Sequence, residues 1–183
     1  AQELPKDTIQ ATYTQAAYIK EAQMLYGFDG REIRKVAFAK GFDENIVPTS
    51  LSRLENLIAI FNKATHLLQE KRGQIITTAA LEIGKVPMQT DMEISELITL
   101  LRFYPKSLQD LCDTHAHTSF MPKGRGLVIG SAHSHLSISF APVLASLACG
   151  DQVVFKPSSL VISSSYMVCE CLWEAGIPRD MLC

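Results

Sequence analysis

The feature that most constrains this chain is a change of habit near Phe120. Before it, charges are dense and apolar residues recur at helical spacing. Beyond Gly126 only six charged side chains remain, Asp151, Lys156, Glu170, Glu174, Arg179 and Asp180, in a segment rich in Val, Leu, Ile, Ala and Ser. Such a segment suits strands and helices covered on both sides, as in a parallel sheet. The apolar run 126–131, bounded by glycine, predicts a strand. Residues 136–148 predict a helix around Pro142, which sits best in a first turn. Gly150-Asp151 signals a turn, 152–157 a second strand ended by Pro157, and 163–175 a helix with Gly176 as C-cap and Pro178 beyond it. Met181-Leu182-Cys183 opens a third strand. Strand, helix, strand, helix, strand is the order of an α/β fold built on a parallel βαβαβ sheet, Rossmann-like and here incomplete.

The first 110 residues read as a helical layer. A first helix is expected over 8–26, with Ile9, Tyr13, Ala16, Ala17 and Leu25 leaning to one side, and a short one over 32–40 ended by Gly41. Ser52 and Glu55 have capping-box spacing, and Leu54, Leu57, Ile58, Phe61, Ala64 and Leu68 follow at helical period, to an end near Gly73. Residues 74–83 form another helix, stopped at Gly84. Thr90 and Glu93 repeat the capping-box spacing ahead of the stripe Ile94, Leu97, Ile98 and Leu101. No internal repeat interrupts this order.

Composition removes several function classes. A chain of 183 residues suits one domain, or one and a part. A net charge of -2 gives no electrostatic footprint for nucleic acid. No apolar run reaches the roughly 18 residues of a membrane helix, so no membrane partner is expected. The N-terminus AQELPKDT lacks the order of a signal peptide, which points to the cytoplasm. The five cysteines, Cys112, Cys149, Cys169, Cys171 and Cys183, show no C-x-x-C spacing and read as reduced thiols. His115-x-His117 and His133-x-His135 invite a zinc reading, yet no cysteine or carboxylate completes a ligand set, so no metal is assigned. Gly124-x-Gly126-x-x-x-Gly130 precedes its strand and so lacks the context of a dinucleotide fingerprint. The serines Ser158, Ser159, Ser163, Ser164 and Ser165 suggest caps and turns, and Lys85 a surface residue near a helix end.

Three motifs in one order carry a resemblance. MPKGRGLVIGS, LACGDQVVFKPSS and EAGIPRDML are similar to the P-x-G-V-x-x-V-I, A-x-G-N-x-V-V-x-K-P-S-E and E-A-G-I-P segments of the aldehyde dehydrogenase superfamily. Arg53, the Glu82-Ile83-Gly84-Lys85 match to E-x-G-K, and 93–104 extend it over about 32–183. The resemblance leaves residues 1–30 aside as an unplaced N-terminal helical extension, and implies 31–120 as the family's helical layer and 121–183 as the first part of its NAD(P)-binding domain. It implies NAD or NADP as cofactor and a small aldehyde as substrate. The partner would be a second copy in a homo-oligomer, or the remainder of a parent chain.

In open parallel sheets ligands bind outside the carboxyl ends of strands. The cofactor-facing residues would be Ile129, Ser131 and Ala132 after the first strand, and Lys156, Ser158 and Ser159 after the second. By resemblance Lys156 meets the adenosine ribose or a 2′-phosphate. Ser159 replaces the Glu of many NAD-preferring relatives, which leaves the choice of dinucleotide open. Counting back from Gly150, 131–136 (SAHSHL) aligns with the family's P-W-N-F-P-L, whose Asn donates to the oxyanion. His133 holds that position. Its imidazole can donate one N–H, or it fills a pocket with that role lost.

The family's cysteine nucleophile and glutamate base fall beyond the position matched by Cys183. The chain thus reads as the N-terminal part of an aldehyde or semialdehyde dehydrogenase working through a cysteine thioester. A short sheet of this kind bares an apolar edge, so the isolated chain is expected to aggregate, to self-associate or to need the rest of its parent. Two alternatives stay open: a catalytically dead binding or scaffold module, and an acyl-CoA or acyl-phosphate reductase relative.

Overall fold

A computed structural model describes residues 19–26, 30–39, 54–118 and 120–183. Two eight-residue strands come first, β1 (Ile19–Tyr26) and β2 (Glu32–Ala39). They pair antiparallel, from Ile19 opposite Ala39 to Tyr26 opposite Glu32. This corrects both helices expected here, over the last eight residues of 8–26 and over nearly all of 32–40. Ile33, Val36 and Phe38 are strand formers, and Asp29-Gly30 is a hairpin signal that outweighs the helical spacing on either side of it. The rest of the first expected helix, and Ser52 of the first capping box, lie outside the described residues.

Three helices form the layer behind the sheet: α1 (Leu54–Glu70), α2 (Arg72–Ile83) and α3 (Pro87–Thr114). Leu57, Phe61, Ala64 and Leu68 of α1 are buried as their spacing predicts, whereas Ile58 is exposed. Gly84 ends α2 in the left-handed region (φ 67°), its N–H donating to the Ala80 carbonyl at 2.9 Å. Helix α3 starts at Pro87, with the proline ring in its first turn, and not at the expected box of Thr90 and Glu93. Thr90 and Glu93 are inside the helix and buried. Ile94, Leu97, Ile98 and Leu101 form its core stripe.

The parallel sheet follows. Strand β3 (Arg125–Ile129) runs beside β4 (Gln152–Lys156), with Arg125 opposite Gln152 and Ile129 opposite Lys156. On the far side of β4 the third strand begins at Leu182, bridged in parallel to Val153. Backbone bonds of 2.8 Å, Val153 N–H to Met181 and Phe155 N–H to Cys183, secure it. Helix α4 (Ser137–Ala148) links β3 to β4 and packs on both. Helix α5 (Ile162–Ala175) leaves β4 and packs on α1 and α2, while α3 packs on α4. One hydrophobic cluster therefore joins the layer to the sheet, from Phe61 and Leu97 to Phe140, Val153 and Leu172.

Pro142 is the sixth residue of α4, past the first turn where it was expected. The N–H it lacks would have bonded the Ile138 carbonyl. Both residues are exposed, so water can serve that oxygen and the helix continues. Along the outer side of the sheet, Leu127 and Ile129 of β3 are 64% and 70% exposed.

Candidate functional site

The site is built at the carboxyl ends of β3 and β4. Ile129 and Lys156 are register partners, and the Gly130 N–H closes the pair by donating to the Lys156 carbonyl at 2.8 Å. Gly130 is required by space: a Cβ there would lie 3.1 Å from Phe155 Cε2, 3.1 Å from Ser139 Oγ and 3.3 Å from Pro157 Cα. The absence of a side chain lets the start of α4 close onto β4. The Ser131 N–H then donates to Ser139 Oγ at 2.8 Å, so the turn 131–136 begins in a fixed direction.

Of the residues singled out from sequence, Ile129, Ser131, Ala132, Lys156, Ser158 and Ser159 all fall on these two adjacent strand ends. Ile129, Lys156 and Ser159 are exposed, and Ser131, Ala132 and Ser158 half-buried. Ser158 builds a turn, its hydroxyl accepting from the Leu160 N–H (3.4 Å) and its carbonyl from Val161 (3.1 Å). This donor set fits one half of a dinucleotide. An exposed ammonium and two serine hydroxyls suit ribose oxygens or a phosphate, and the bare face of Ile129 suits a flat ring. The imidazole of His133 is exposed, in the turn before α4.

Sequence reasoning missed the second tier of the site, which is polar and buried. Lys85, expected at the surface, is buried against Glu93, and its Nζ donates to the His133 carbonyl at 2.5 Å. The other Glu93 oxygen accepts from the Leu136 N–H at 2.9 Å. Glu82 caps α5 from outside the helix: its carboxylate accepts the N–H of Ser163 (2.5 Å), the N–H of Ser164 (3.0 Å) and the Ser164 hydroxyl. An acid at a helix N-terminus meets both the unpaired amides and the positive end of the dipole. The E-x-G-K segment was the available signal. Its Glu and Lys serve two different loops, one on each side of the left-handed Gly84.

His135 extends this tier, with Nε2 2.9 Å from Ser164 Oγ. The single Ser164 proton goes to Glu82, so Ser164 accepts from His135, and the ring is the neutral tautomer protonated on Nε2. Burial, helped by the positive Lys85 and opposed by Glu93, pushes the imidazole from its ordinary 6.5 down to about 4.

Burial also raises the thiols, Cys169 far above its ordinary value and Cys171 to about 11. Cys149 and Cys183 are raised by burial and then by Asp151 and Asp180 respectively. None of these four is an activated thiolate. Both His-x-His pairs lie at turns, not on strands, and among the described residues no group of three His, Cys, Asp or Glu could hold a metal ion. No described helix is long and apolar enough to cross a membrane.

The model of the aldehyde dehydrogenase family matches residues 46–183. The chain belongs to the aldehyde dehydrogenase family. It is 26% identical over 149 residues to a 1-pyrroline-5-carboxylate dehydrogenase from Geobacillus sp. (strain WCH70), covering 76% of this chain and 29% of that protein. The chain thus spans under a third of that relative's length. A Thermus 1-pyrroline-5-carboxylate dehydrogenase with bound NAD superimposes with a TM-score of 0.62 at 20% identity, over 70% of this chain and 27% of that one. The NADP-dependent glyceraldehyde-3-phosphate dehydrogenase of Bacillus halodurans C-125, complexed with NADP, gives 0.70 at 18% identity, over 88% and 39%. The aldehyde dehydrogenase fold is shown by these likenesses, and solved relatives hold either dinucleotide.

Proposed function

We propose that this chain supplies the amino-terminal layer, 31–120, which holds β2 and the helices α1, α2 and α3, and the first part of the NAD(P)-binding domain, 121–183, of an NAD(P)-dependent aldehyde or semialdehyde dehydrogenase, while the extension 1–30 contributes β1, paired to β2. The observation that carries the reading is the clustering of Ile129, Ser131, Ala132, Lys156, Ser158 and Ser159 on two adjacent strand ends, in a chain of this family. Lys156 binds the ribose hydroxyls or a 2′-phosphate, Ser158 and Ser159 add hydroxyl contacts, and Ile129 covers the adenine side. Ser131 and Ala132 offer backbone groups further along the cofactor. When bound, the dinucleotide accepts a hydride from the aldehyde carbon. His133, at the position of the family's oxyanion-binding Asn, donates an imidazole N–H toward the aldehyde oxygen. The nucleophile and general base of the thioester route come from other residues; burial raises the thiols of Cys149, Cys169, Cys171 and Cys183, which argues against a nucleophile among these four.

A semialdehyde as substrate is supported by the name of another relative, a putative succinate-semialdehyde dehydrogenase from Mycolicibacterium smegmatis, 28% identical over 67% of this chain and 26% of that protein. The reading carries with it a cytoplasmic, oligomeric enzyme. A second reading, a dehydrogenase-like binding module without catalysis, draws on His133, whose residue type departs from the family's Asn. Calorimetric titration with NADH and NADPH tests the first. Saturable binding, weakened about tenfold by Lys156→Gln, is expected, a change worth about 1.4 kcal/mol. Absence of saturable binding to either dinucleotide would contradict it.

A further inference from the structure

The helical layer reaches the strand-end site through two side chains. Lys85 follows the left-handed Gly84, and Glu93 stands in the second turn of α3. Their side chains are only 6% and 10% exposed, and they form an ion pair. Each also makes one contact beyond the pair, and both contacts fall on the same turn. Lys85 Nζ donates to the His133 carbonyl (2.5 Å), and Glu93 Oε2 accepts from the Leu136 N–H (2.9 Å).

A buried ion pair gains little stability over apolar packing, because desolvating the two charges offsets their attraction. Stability alone is therefore a weak account of this one. Its geometry is that of a clamp. One charge-assisted bond fixes the peptide plane after His133, and the other fixes the start of α4 three residues later. Between them, 131–136 has little freedom to rotate.

We propose that Lys85 and Glu93 are positioning residues. They set the direction in which Ser131, Ala132 and His133 face the dinucleotide and the aldehyde, without touching either. The inference rests on the reading of 131–136 as the cofactor-facing turn. It adds that the turn's geometry is dictated from the helical layer, 48 residues earlier in the chain for Lys85 and 43 for Glu93.

The test uses the full chain, with amide hydrogen exchange in the absence of cofactor and NADH titration beside it. The double variant Lys85→Met/Glu93→Gln removes both charges and leaves neither stranded. Amides of 133–136 should exchange about tenfold faster or more, while those of Ser163 and Ser164, capped by Glu82, keep their protection. The NADH Kd should rise about tenfold, and Lys85→Arg, which keeps the charge and its donors, should recover part of both effects. If the double variant does not fold, Glu93→Asp alone carries the test, since it keeps a carboxylate beside Lys85 while drawing the second oxygen back from the Leu136 N–H. Unchanged exchange in the turn overturns the proposal, and so does acceleration spread evenly over the turn and α5. If the unsubstituted chain binds no NADH, the dehydrogenase reading fails instead, and the exchange pattern alone decides whether the clamp exists.

Discussion

Two lysines of this chain live in opposite surroundings. Lys85 is buried, paired with Glu93 and bonded to a backbone carbonyl. Lys156 stands exposed at the end of β4, beside the bare side chain of Ile129. The first holds the molecule together and the second faces outward. The difference teaches that the two tiers of the site obey different rules. The inner tier of Glu82, Lys85, Glu93, His135 and Ser164 is bonded within the fold, save for His135 Nδ1, which is buried without a hydrogen-bond partner, and losing one member strands another. The outer tier of Lys156, Ser158 and Ser159 is exposed or half-buried, so its substitution should change what binds and leave the fold alone.

The sharpest way to break this contrast is to substitute the lysines one at a time. Lys85→Met leaves the Glu93 carboxylate buried and unpaired, and should cost about 3–5 kcal/mol in urea unfolding. Lys156→Gln should move the same measurement by less than about 0.5 kcal/mol. Equal costs would erase the distinction between tiers.

Acid provides the next largest effect. The folded imidazole of His135 titrates at about 4 against an ordinary 6.5. Between those values the unfolded chain binds a proton that the folded chain refuses, so stability rises with pH across the window and falls on acidification. The loss should approach about 3 kcal/mol by pH 4 and should be reduced in His135→Gln, read as urea midpoints at pH 7 and pH 4. A smaller effect belongs to the helix cap. Glu82→Ala uncovers the Ser163 and Ser164 amides and should cost about 2 kcal/mol, with faster amide exchange confined to the first turn of α5. Smallest in stability, and largest in binding, is Lys156→Gln, with its expected tenfold weakening of dinucleotide affinity.

The outer tier and the sheet beneath it were legible because their signals are local. An apolar run between glycines marks β3, the run between the Gly150-Asp151 turn and Pro157 marks β4, and strand ends are where a parallel sheet binds. The β1–β2 hairpin was legible only through the Asp29-Gly30 signal and the strand formers of β2. Ala22, Ala39 and the interleaved charges suit a helix as well as a strand, and the deciding partner of each segment is the other. Lys85 shows the limit most clearly. Next to a glycine at a helix end it reads as solvated, and only a carbonyl 48 residues away makes it internal. Glu93 misled differently, since its spacing from Thr90 imitates a cap while Pro87 starts the helix instead. Glu82 finds its partners 81 and 82 residues on, beyond any local pattern.

The central claim is that the ends of β3 and β4 form a dinucleotide surface. It is tested most directly by following backbone amide shifts of the labelled chain during titration with NAD and then NADP. Saturable shifts are expected, concentrated at 130–132, Lys156, Ser158 and Ser159, with a midpoint moved to about tenfold higher ligand by Lys156→Gln. Shifts absent from these positions, or gathered instead on the outer face of α1 and α3, would contradict it.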